Sequence, residues 1–217
     1  MGAVHAQLVG PPRLGAEGDS YCDAMRALLI RHGRTQGNSE RRYIGITDEP
    51  LSDEGRAEVE RVRPDSSLKL VYVSPLLRAR QTASILFPVA EQRVIPDLRE
   101  TDFGVFEGRS ADEMIDDADY REWVDGMCLG PCPGGEARGD VTRRAVAAFT
   151  DAIHDAETAG VEEAVFVTHG GVIMSILEEL AVPKRDYYEY QLKNLCGWQA
   201  ECTWNDDKLV LKDIRLI

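Results

Sequence analysis

Two short apolar segments in this chain each end in a histidine that is followed by glycine. They are LLIRHG, residues 28–33, and VFVTHGG, residues 165–171. Consecutive apolar residues of this kind are typical of strands that are covered on both faces, as in the parallel sheets of α/β proteins. Charged groups at the end of a buried strand are costly to desolvate unless an opposite charge meets them. The two segments therefore predict a parallel sheet with a polar site at one edge.

The rest of the chain alternates between strand and helix patterns. Further strands are expected at residues 68–74 and 92–98, and helices at 51–63, 74–87, 110–126, 135–157 and 170–181. Ser74 and Pro75 are expected to start the second of these helices. Residues 196–205 and 208–217 predict a hairpin. The expected fold is a three-layer α/β sandwich with helices on both faces of a mostly parallel sheet, to which the C-terminal hairpin adds an antiparallel edge.

The chain of 217 residues is long enough for one domain with a substantial core. Residues 25–217 are expected to form that domain. Residues 1–24, which are rich in Gly, Pro and Ala, are expected to be an irregular extension before it. The extension lacks a cationic start followed by an apolar stretch, so it is a poor signal peptide. No run of about 18 apolar residues exists, so no transmembrane helix is expected.

Charge and cysteine content narrow the range of partners and compartments. The formal net charge is −13, which argues against binding to nucleic acid or to an anionic membrane surface. The five cysteines are an odd number, which fits the reducing cytoplasm better than a disulfide framework. Cys128 and Cys132 are four positions apart, but no histidine lies nearby in sequence. Ordinary loop and core thiols are therefore expected there, and no metal site.

Polar residues follow three of the predicted strands. Arg31 and His32 end the first strand, the helix that carries Arg78 follows the second, and His169 ends the fourth. Ligands bind beyond the carboxyl ends of strands in open α/β sheets, so we expect these side chains to converge. Guanidinium groups match phosphate oxygens and stay charged at neutral pH. The pattern predicts a pocket for a phosphoryl group, towards which a neutral imidazole is a competent nucleophile.

Five motifs occur in order between residues 30 and 171: IRHGRTQGN, YIGITDEPLSDEG, SPLLRARQTA, LRETDFGVFEG and VTHGG. Together they resemble the histidine phosphatase superfamily, in the branch that contains cofactor-dependent phosphoglycerate mutase. The matches span roughly two thirds of the chain. The resemblance implies phosphoryl transfer through a phosphohistidine, with neither a metal nor another cofactor.

The resemblance also assigns roles to individual residues. His32 would be the nucleophile, attacking as the neutral tautomer while its other ring nitrogen donates to a fixed acceptor. Glu100 would protonate the leaving oxygen and then activate water. His169 would be a catalytic imidazolium, because the anion that it faces favours the charged form. The residues that would bind the phosphoryl oxygens are Arg31, Asn38 and Arg78, together with His169.

Some of these assignments have alternatives. The acidic loop that carries Glu100 contains other candidates for the acid, or is only a solvated loop; these candidates are Asp97, Asp102 and Glu107. Asn38 has the alternative of a simple turn residue. Gly33 is expected to let the backbone approach the phosphate, where a Cβ would obstruct it. Whether Arg34 reaches the substrate or only covers the rim of the pocket is left open.

Hydrolysis of a small phosphorylated metabolite is the expected reaction. A phosphoglycerate mutase must retain a second phosphate, but residues 101–168 lack the basic stretch that holds it in that family. The segment CPGGEARGD, residues 132–140, resembles small phosphatases of the superfamily. Two alternatives remain: a phosphoglycerate mutase or related phosphotransferase, and a non-catalytic module that binds a phosphorylated ligand. The oligomeric state is open, with a homodimer as one alternative.

Overall fold

A computed structural model describes residues 25–217. The strands are β1 (Arg26–Arg31), β2 (Leu70–Val73), β3 (Glu91–Val94), β4 (Glu163–Thr168), β5 (Gly197–Asn205) and β6 (Lys208–Leu216). The α-helices are α1 (Gln36–Ser39), α2 (Asp53–Glu60), α3 (Leu77–Leu86), α4 (Ala118–Asp125), α5 (Arg138–Thr158) and α6 (Gly170–Leu180). The irregular extension that is expected at residues 1–24 lies outside the described residues.

The strands form one sheet in the order β3-β2-β4-β1-β5-β6. The first four strands in this order are parallel, whereas β5 pairs antiparallel with both β1 and β6. This confirms the mostly parallel sheet with an antiparallel edge from the C-terminal hairpin. It also places β1 and β4, the two strands that end in histidine segments, side by side in the middle of the sheet.

The register of β1 and β4 aligns their carboxyl ends. Leu29 stands opposite Phe166, and Arg31 stands opposite Thr168. The N–H of His32 donates to the carbonyl oxygen of Thr168 over 2.9 Å, so the pairing continues to the last residue of β4. Because both strands run in the same direction, the residues that follow them leave the sheet at the same edge.

Alternate residues of β1 face the two sides of the sheet. Leu29 belongs to a buried cluster with residues of α5 and α6, among them Phe149 and Ile173. Ile30 belongs to a second cluster with residues of α3, among them Ala83. Burying a side chain such as Leu29 or Ile30 stabilises the fold by about 1.5–3 kcal/mol. Helices therefore cover both faces of the sheet, as the apolar strands predict.

The start of α3 differs from the prediction. The sequence predicts Ser74 as the N-cap and Pro75 as the first helical residue, whereas the N-cap is Leu76 and makes no side-chain capping bond. The hydroxyl of Ser74 lies 2.6 Å from Nε2 of His169 instead. The same hydroxyl also accepts from the N–H of Leu76 over 3.3 Å, so Ser74 stabilises the turn that precedes α3.

The segment 110–126, predicted as one helix, is divided in two. A short 3₁₀ helix, Asp112–Met114, precedes α4. The break occurs because the side chain of Asp117 accepts hydrogen bonds from the N–H groups of Asp119 and Tyr120 and so caps α4. A carboxylate in that position starts a new helix rather than continuing the previous one.

Residues 103–134, here called the aromatic segment, have a small core of their own. Its buried members are Phe106, Met114, Tyr120 and Cys132. Cys132 is a free thiol that is 1% exposed, which is the core role expected for it. Between residues 25 and 217, no helix combines the length and the apolar character needed to cross a membrane.

Candidate active site

His32 and His169 lie next to each other beyond the ends of β1 and β4. Their ring centroids are 5.0 Å apart and the ring planes are inclined by 60°. Both side chains are buried. The parallel pairing of β1 with β4 brings the rings together because each histidine directly follows its strand.

The imidazole of His32 is held as one tautomer. Its Nδ1 lies 2.6 Å from the carbonyl oxygen of Gly33, which can only accept, so Nδ1 carries the proton. Nε of Arg78 donates to Nε2 over 3.3 Å, which requires a lone pair there. Burial, and then the charges of Arg78 and Arg31, lower the pKa of His32 well below its ordinary value. Nε2 is therefore the unprotonated nitrogen of a neutral ring.

Side chains from distant segments fix the turn after His32. The N–H of Gly33 donates to Oγ1 of Thr82 over 2.9 Å, and Nδ2 of Asn194 donates to the carbonyl oxygen of His32 over 3.0 Å. A Cβ on Gly33 would lie 2.7 Å from Cγ2 of Val59. Packing against α2 therefore explains the glycine at this position. This differs from the explanation that the sequence suggests, which is approach of the backbone to a phosphate.

Arg78, in the first turn of α3, is fully buried. Its guanidinium group donates to the carbonyl oxygens of Thr47 over 2.9 Å and Gly45 over 2.7 Å. Burial lowers the pKa of Arg78, and Glu100 acts in the opposite direction. An arginine stays protonated in proteins, and carbonyl oxygens orient it without cancelling its charge.

Glu107 holds the loop that orients Arg78. Its carboxylate accepts hydrogen bonds from the N–H groups of Gly45, Ile46 and Thr47 and from the hydroxyl of Thr47. These bonds occupy both carboxylate oxygens. Glu107 is thus built into the support of the pocket, which weakens its case as the acid.

Two buried nitrogens at this edge have no hydrogen-bond partner among the described residues. They are Nε of Arg31 and Nδ1 of His169. Other atoms of both side chains are engaged, since Nη1 of Arg31 donates to Leu192 O over 2.7 Å and Nε2 of His169 lies 2.6 Å from Oγ of Ser74. A buried polar group without a partner costs about 1–3 kcal/mol. The two nitrogens mark a position where anionic oxygens would be bound.

The protein's own groups favour the neutral form of His169. Burial lowers the pKa of His169 well below its ordinary value, and the nearby Arg78, His32 and Arg31 act in the same direction. An anion between these groups acts in the opposite direction. The imidazolium expected from the sequence therefore requires the phosphoryl group itself.

The carboxyl group of Glu100 is buried and lies against the first turn of α6. Its Oε2 accepts from the N–H of Gly171 over 3.1 Å, and its Oε1 accepts from the N–H of Thr101 over 2.9 Å. The alternative acids are placed differently. The side chain of Asp97 is 57% exposed, and that of Asp102 is bonded to the main chain of its own turn. Glu100 is thus the carboxyl group of this loop that faces the histidine edge.

Asn38 and Arg34 are engaged within the protein. Oδ1 of Asn38 accepts from Nδ2 of Asn194 over 3.1 Å and from the N–H of Thr35 over 3.3 Å, the second bond being part of the cap of α1. These bonds agree with the alternative that Asn38 is a turn residue, and they leave its Nδ2 available to a ligand. Arg34 forms an exposed ion pair with Glu58 over 3.2 Å.

Apart from Asn38, the predicted site residues converge directly at one edge: Arg31, His32, Arg78, Glu100 and His169. Sequence reasoning misses some of the groups that hold them. It places Ser74 after the second strand, at the ligand edge, and gives it the role of a helix cap, but it does not predict the contact of Ser74 with His169. Asn194 lies in a loop without any distinguishing pattern, so the sequence carries no signal for its role.

The charge balance of the site suits an anion. Within residues 25–217, no group of three or more His, Cys, Asp or Glu side chains is arranged to hold a metal ion. Cys128 and Cys132 are both free thiols. Two guanidinium groups and two imidazoles surround one buried carboxyl group, which is the reverse of the oxygen-rich surroundings that divalent cations such as Mg²⁺ prefer.

Residues 27–215 match the family model of the histidine phosphatase superfamily, branch 1. The chain belongs to this superfamily. Among curated proteins it is similar to a "Probable phosphoglycerate mutase GpmB" of Salmonella choleraesuis, at 32% identity over 200 residues, which cover 82% of this chain and 91% of the relative. The protein of the same name from Enterobacter sp. (strain 638) is 31% identical over 180 residues, covering 78% and 81%.

Two solved structures extend the comparison. A mycobacterial glucosyl-3-phosphoglycerate phosphatase, in complex with VO3, has a TM-score of 0.73 and 25% identity, covering 89% of this chain and 97% of that one. The alpha-ribazole phosphatase from Shigella flexneri has a TM-score of 0.71 and 24% identity, covering 86% and 94%, and shows the shared fold. The comparisons support an enzyme of the phosphatase or phosphotransferase class.

Proposed function

We propose that the protein is a metal-independent phosphomonoesterase that acts through a phosphohistidine at His32. One observation carries the proposal. The unprotonated Nε2 of a buried, neutral His32 lies beside Arg78, and the unpartnered nitrogens of Arg31 and His169 lie at the same edge. A phosphoryl group there would have a nucleophile and several hydrogen-bond donors around it.

In the first step, Nε2 of His32 attacks phosphorus in line with the leaving oxygen. The new N–P bond forms as the P–O bond to the leaving group breaks, and Glu100 delivers its proton to that oxygen. Arg31, Arg78 and a protonated His169 bind the equatorial oxygens, over which the charge of the transition state is spread. Nδ1 of His32 keeps its proton because it is bonded to the carbonyl oxygen of Gly33.

In the second step, water attacks the phosphohistidine. The carboxylate of Glu100 takes a proton from the water as the new P–O bond forms, and the N–P bond breaks to return a neutral His32. Inorganic phosphate leaves, and Glu100 is again protonated for the next cycle. The same carboxyl group serves as acid and then as base because the leaving oxygen and the water occupy the same position.

Hydrolysis rather than mutase chemistry is favoured by the charges near the site. A mutase needs cations that can hold a second phosphate. Arg109 in the aromatic segment is paired with Asp117 over 2.9 Å, and Arg138 is paired with Glu178 over 3.7 Å. Phosphoglycerate isomerisation is the second candidate function, because the similar curated proteins are named as probable phosphoglycerate mutases.

We further propose a small phosphorylated metabolite as substrate and a reducing cytoplasm as the compartment. The free thiols of Cys128, Cys132, Cys196 and Cys202 support the compartment. The net charge of −13 supports neither nucleic acid nor an anionic membrane as a partner. Light scattering on the purified chain would distinguish a monomer from the homodimer that is kept as an alternative.

A panel of phosphorylated metabolites that includes 3-phosphoglycerate tests the proposed reaction. We expect phosphate release from one or more alkyl phosphates, and acid-labile phosphate on the wild-type chain after rapid quenching. Conversion of 3-phosphoglycerate to 2-phosphoglycerate faster than phosphate release would replace the proposal with the mutase. Binding of phosphorylated ligands without any turnover would replace it with the non-catalytic module.

A further inference from the structure

We propose that Arg144 and Glu136 form a clamp that positions Glu100 for proton transfer. The inference rests on the proposed role of Glu100 as the acid. Neither clamp residue bonds to the carboxyl group of Glu100, so both are positioning residues. They act on the main chain from which that carboxyl group extends.

Arg144, on α5, bonds to three carbonyl oxygens of the loop that carries Glu100. Nη1 donates to Asp97 O over 2.8 Å and to Arg99 O over 2.7 Å, and Nη2 donates to Glu100 O over 3.1 Å. Its side chain is only 11% exposed. One guanidinium group therefore fixes the path of the loop up to and including Glu100.

Glu136 completes the clamp from the other side. Its carboxylate binds Arg144 through two bonds, Nε to Oε1 over 2.9 Å and Nη2 to Oε2 over 2.8 Å. It also accepts from the N–H of Asp102 over 3.0 Å and from Nη2 of Arg99 over 3.0 Å. The clamp is therefore hydrogen-bonded to the main chain on both sides of Glu100.

The position of Glu100 leaves little tolerance for movement. Its carboxylate meets the start of α6 through the N–H of Gly171, and a Cβ at Gly171 would lie only 2.6 Å from Oε1. A shift of about 1 Å in a reacting group can cost about 100-fold in rate. Residues 99–103 follow a short 3₁₀ helix, Pro96–Leu98, and belong to no helix or strand themselves, so they need such a clamp to hold this position.

The test compares Arg144→Lys with Arg143→Lys. Arg143 is the preceding residue on α5, its side chain is 77% exposed, and within residues 25–217 its ion pair is with Asp140 of the same turn. Lysine keeps the charge but loses the planar fork. With the fastest alkyl phosphate of the panel we expect Arg144→Lys to lower kcat by about 10–100-fold, with KM changed less than about twofold. With p-nitrophenyl phosphate, whose leaving group needs no proton, we expect a loss below about threefold.

Glu100→Gln is the reference for this experiment. If the clamp acts through Glu100, the double variant Glu100→Gln/Arg144→Lys is no slower than Glu100→Gln alone. Equal losses of Arg144→Lys on alkyl and aryl phosphates, or full additivity with Glu100→Gln, would show that the inference is wrong. Activity of Arg143→Lys should equal that of the wild type.

Failure of the clamp and failure of the acid assignment give different results. If Glu100→Gln loses activity equally on both substrate types, Glu100 is not the acid and the clamp proposal falls with it. If Glu100→Gln shows the leaving-group dependence and Arg144→Lys does not, the clamp alone is wrong. If circular dichroism shows that Arg144→Lys does not fold, Glu136→Gln replaces it in the test. This variant weakens the same clamp, so its loss of activity must show the same dependence on the leaving group.

Discussion

Oγ of Ser74 lies 2.6 Å from Nε2 of His169, and Nδ1 of the same ring is buried without a partner among residues 25–217. Ser74 follows β2 and His169 follows β4, two strands that are neighbours in the sheet. The hydroxyl therefore fixes the imidazole through Nε2, and Nδ1 stays available to a ligand beside the charges of Arg31 and Arg78. This orientation makes His169 a donor to an anion once the ring is protonated.

Ser74→Ala should weaken binding of the transferred phosphoryl group. Without the hydroxyl, the ring of His169 is free to rotate, and its hydrogen bond to the anion is lost for part of the time. We expect kcat/KM to fall about tenfold, which corresponds to about 1.4 kcal/mol. Inhibition by inorganic phosphate should weaken in parallel. Ser84→Ala, an exposed serine on α3, is the control. An unchanged kcat/KM would mean that Ser74 does not orient the ring.

His32→Ala should abolish turnover and covalent labelling. The variant lacks the nitrogen that would form the N–P bond, so we expect a loss of at least about 1000-fold in kcat. Acid-labile phosphate should be trapped on the wild type and absent from the variant. His154→Ala, which removes an exposed histidine, should retain full activity. Retention of activity by His32→Ala within about tenfold would falsify the nucleophile assignment.

Gly171→Ala should reduce activity without reducing stability. A Cβ at this position would lie 2.6 Å from Oε1 of Glu100, so the carboxyl group must move. We expect kcat to fall about 10–100-fold. Alanine in a helix is more stable than glycine by about 0.5–1 kcal/mol, so thermal unfolding separates displacement of Glu100 from loss of fold. Gly170→Ala is the matched control, since its Cβ would be 3.5 Å from Arg31, an ordinary contact. Equal effects of both substitutions would contradict the prediction.

Stability should fall as the pH drops below about 6.5, the ordinary pKa of histidine. Burial, with the charges of Arg78 and Arg31, lowers the pKa of His32 and of His169 in the folded state. The unfolded chain therefore binds more protons in this range, and folding stability is present above it and lost below it. Each histidine contributes up to about 1.4 kcal/mol per pH unit.

Thermal unfolding measured between pH 7.5 and 5 would test this pH dependence. His32→Ala should reduce the slope, because it removes one of the two buried histidines. The contribution of Glu136 is separate: burial raises its pKa, but the hydrogen bonds from Arg144 and from the N–H of Asp102, with the charges of Arg144 and Arg99, together lower it, so this contribution is lost below about pH 4.5. A flat profile between pH 7.5 and 5 would mean that the two histidines are not buried in their neutral form.

Activity should survive EDTA and be blocked by vanadate. Vanadate adopts the five-coordinate shape of in-line phosphoryl transfer, so a pocket tuned for that transfer binds it more tightly than phosphate. The solved mycobacterial phosphatase similar to this chain is itself in complex with VO3. We expect the inhibition constant for vanadate to be at least about 100-fold lower than that for phosphate. Loss of activity in EDTA that Mg²⁺ or Mn²⁺ restores would overturn the proposed mechanism.

The sheet and the charged edge could be predicted from sequence because both depend on local patterns. Four apolar residues before each histidine indicate a buried strand, and the strand end fixes where His32 and His169 emerge. The supports of the site could not be predicted in this way. Asn194 and Arg144 reach the site from segments remote in sequence, and only the folded chain shows which carbonyl oxygens they meet.

Glu107 is an example of a candidate that only the structure can rule against. As one of several acids in its loop it is a reasonable candidate for the proton donor, since a sequence shows the carboxyl group and not its hydrogen bonds. In the structure its oxygens are taken by the N–H groups of Gly45, Ile46 and Thr47. The choice between Glu100 and Glu107 depends on burial and partners, which neither spacing nor composition encodes.

Arg78 is held by the carbonyl oxygens of Thr47 and Gly45, and no carboxylate bonds to it directly within residues 25–217. Dipoles fix a cation in place but leave its full charge available to a ligand. On a chain whose net charge is −13, this guanidinium group is a buried local positive charge at the histidine edge. We expect the overall negative charge to oppose the approach of long polyanions more strongly than that of a compact monophosphate, so that ligands are selected by size as well as by charge.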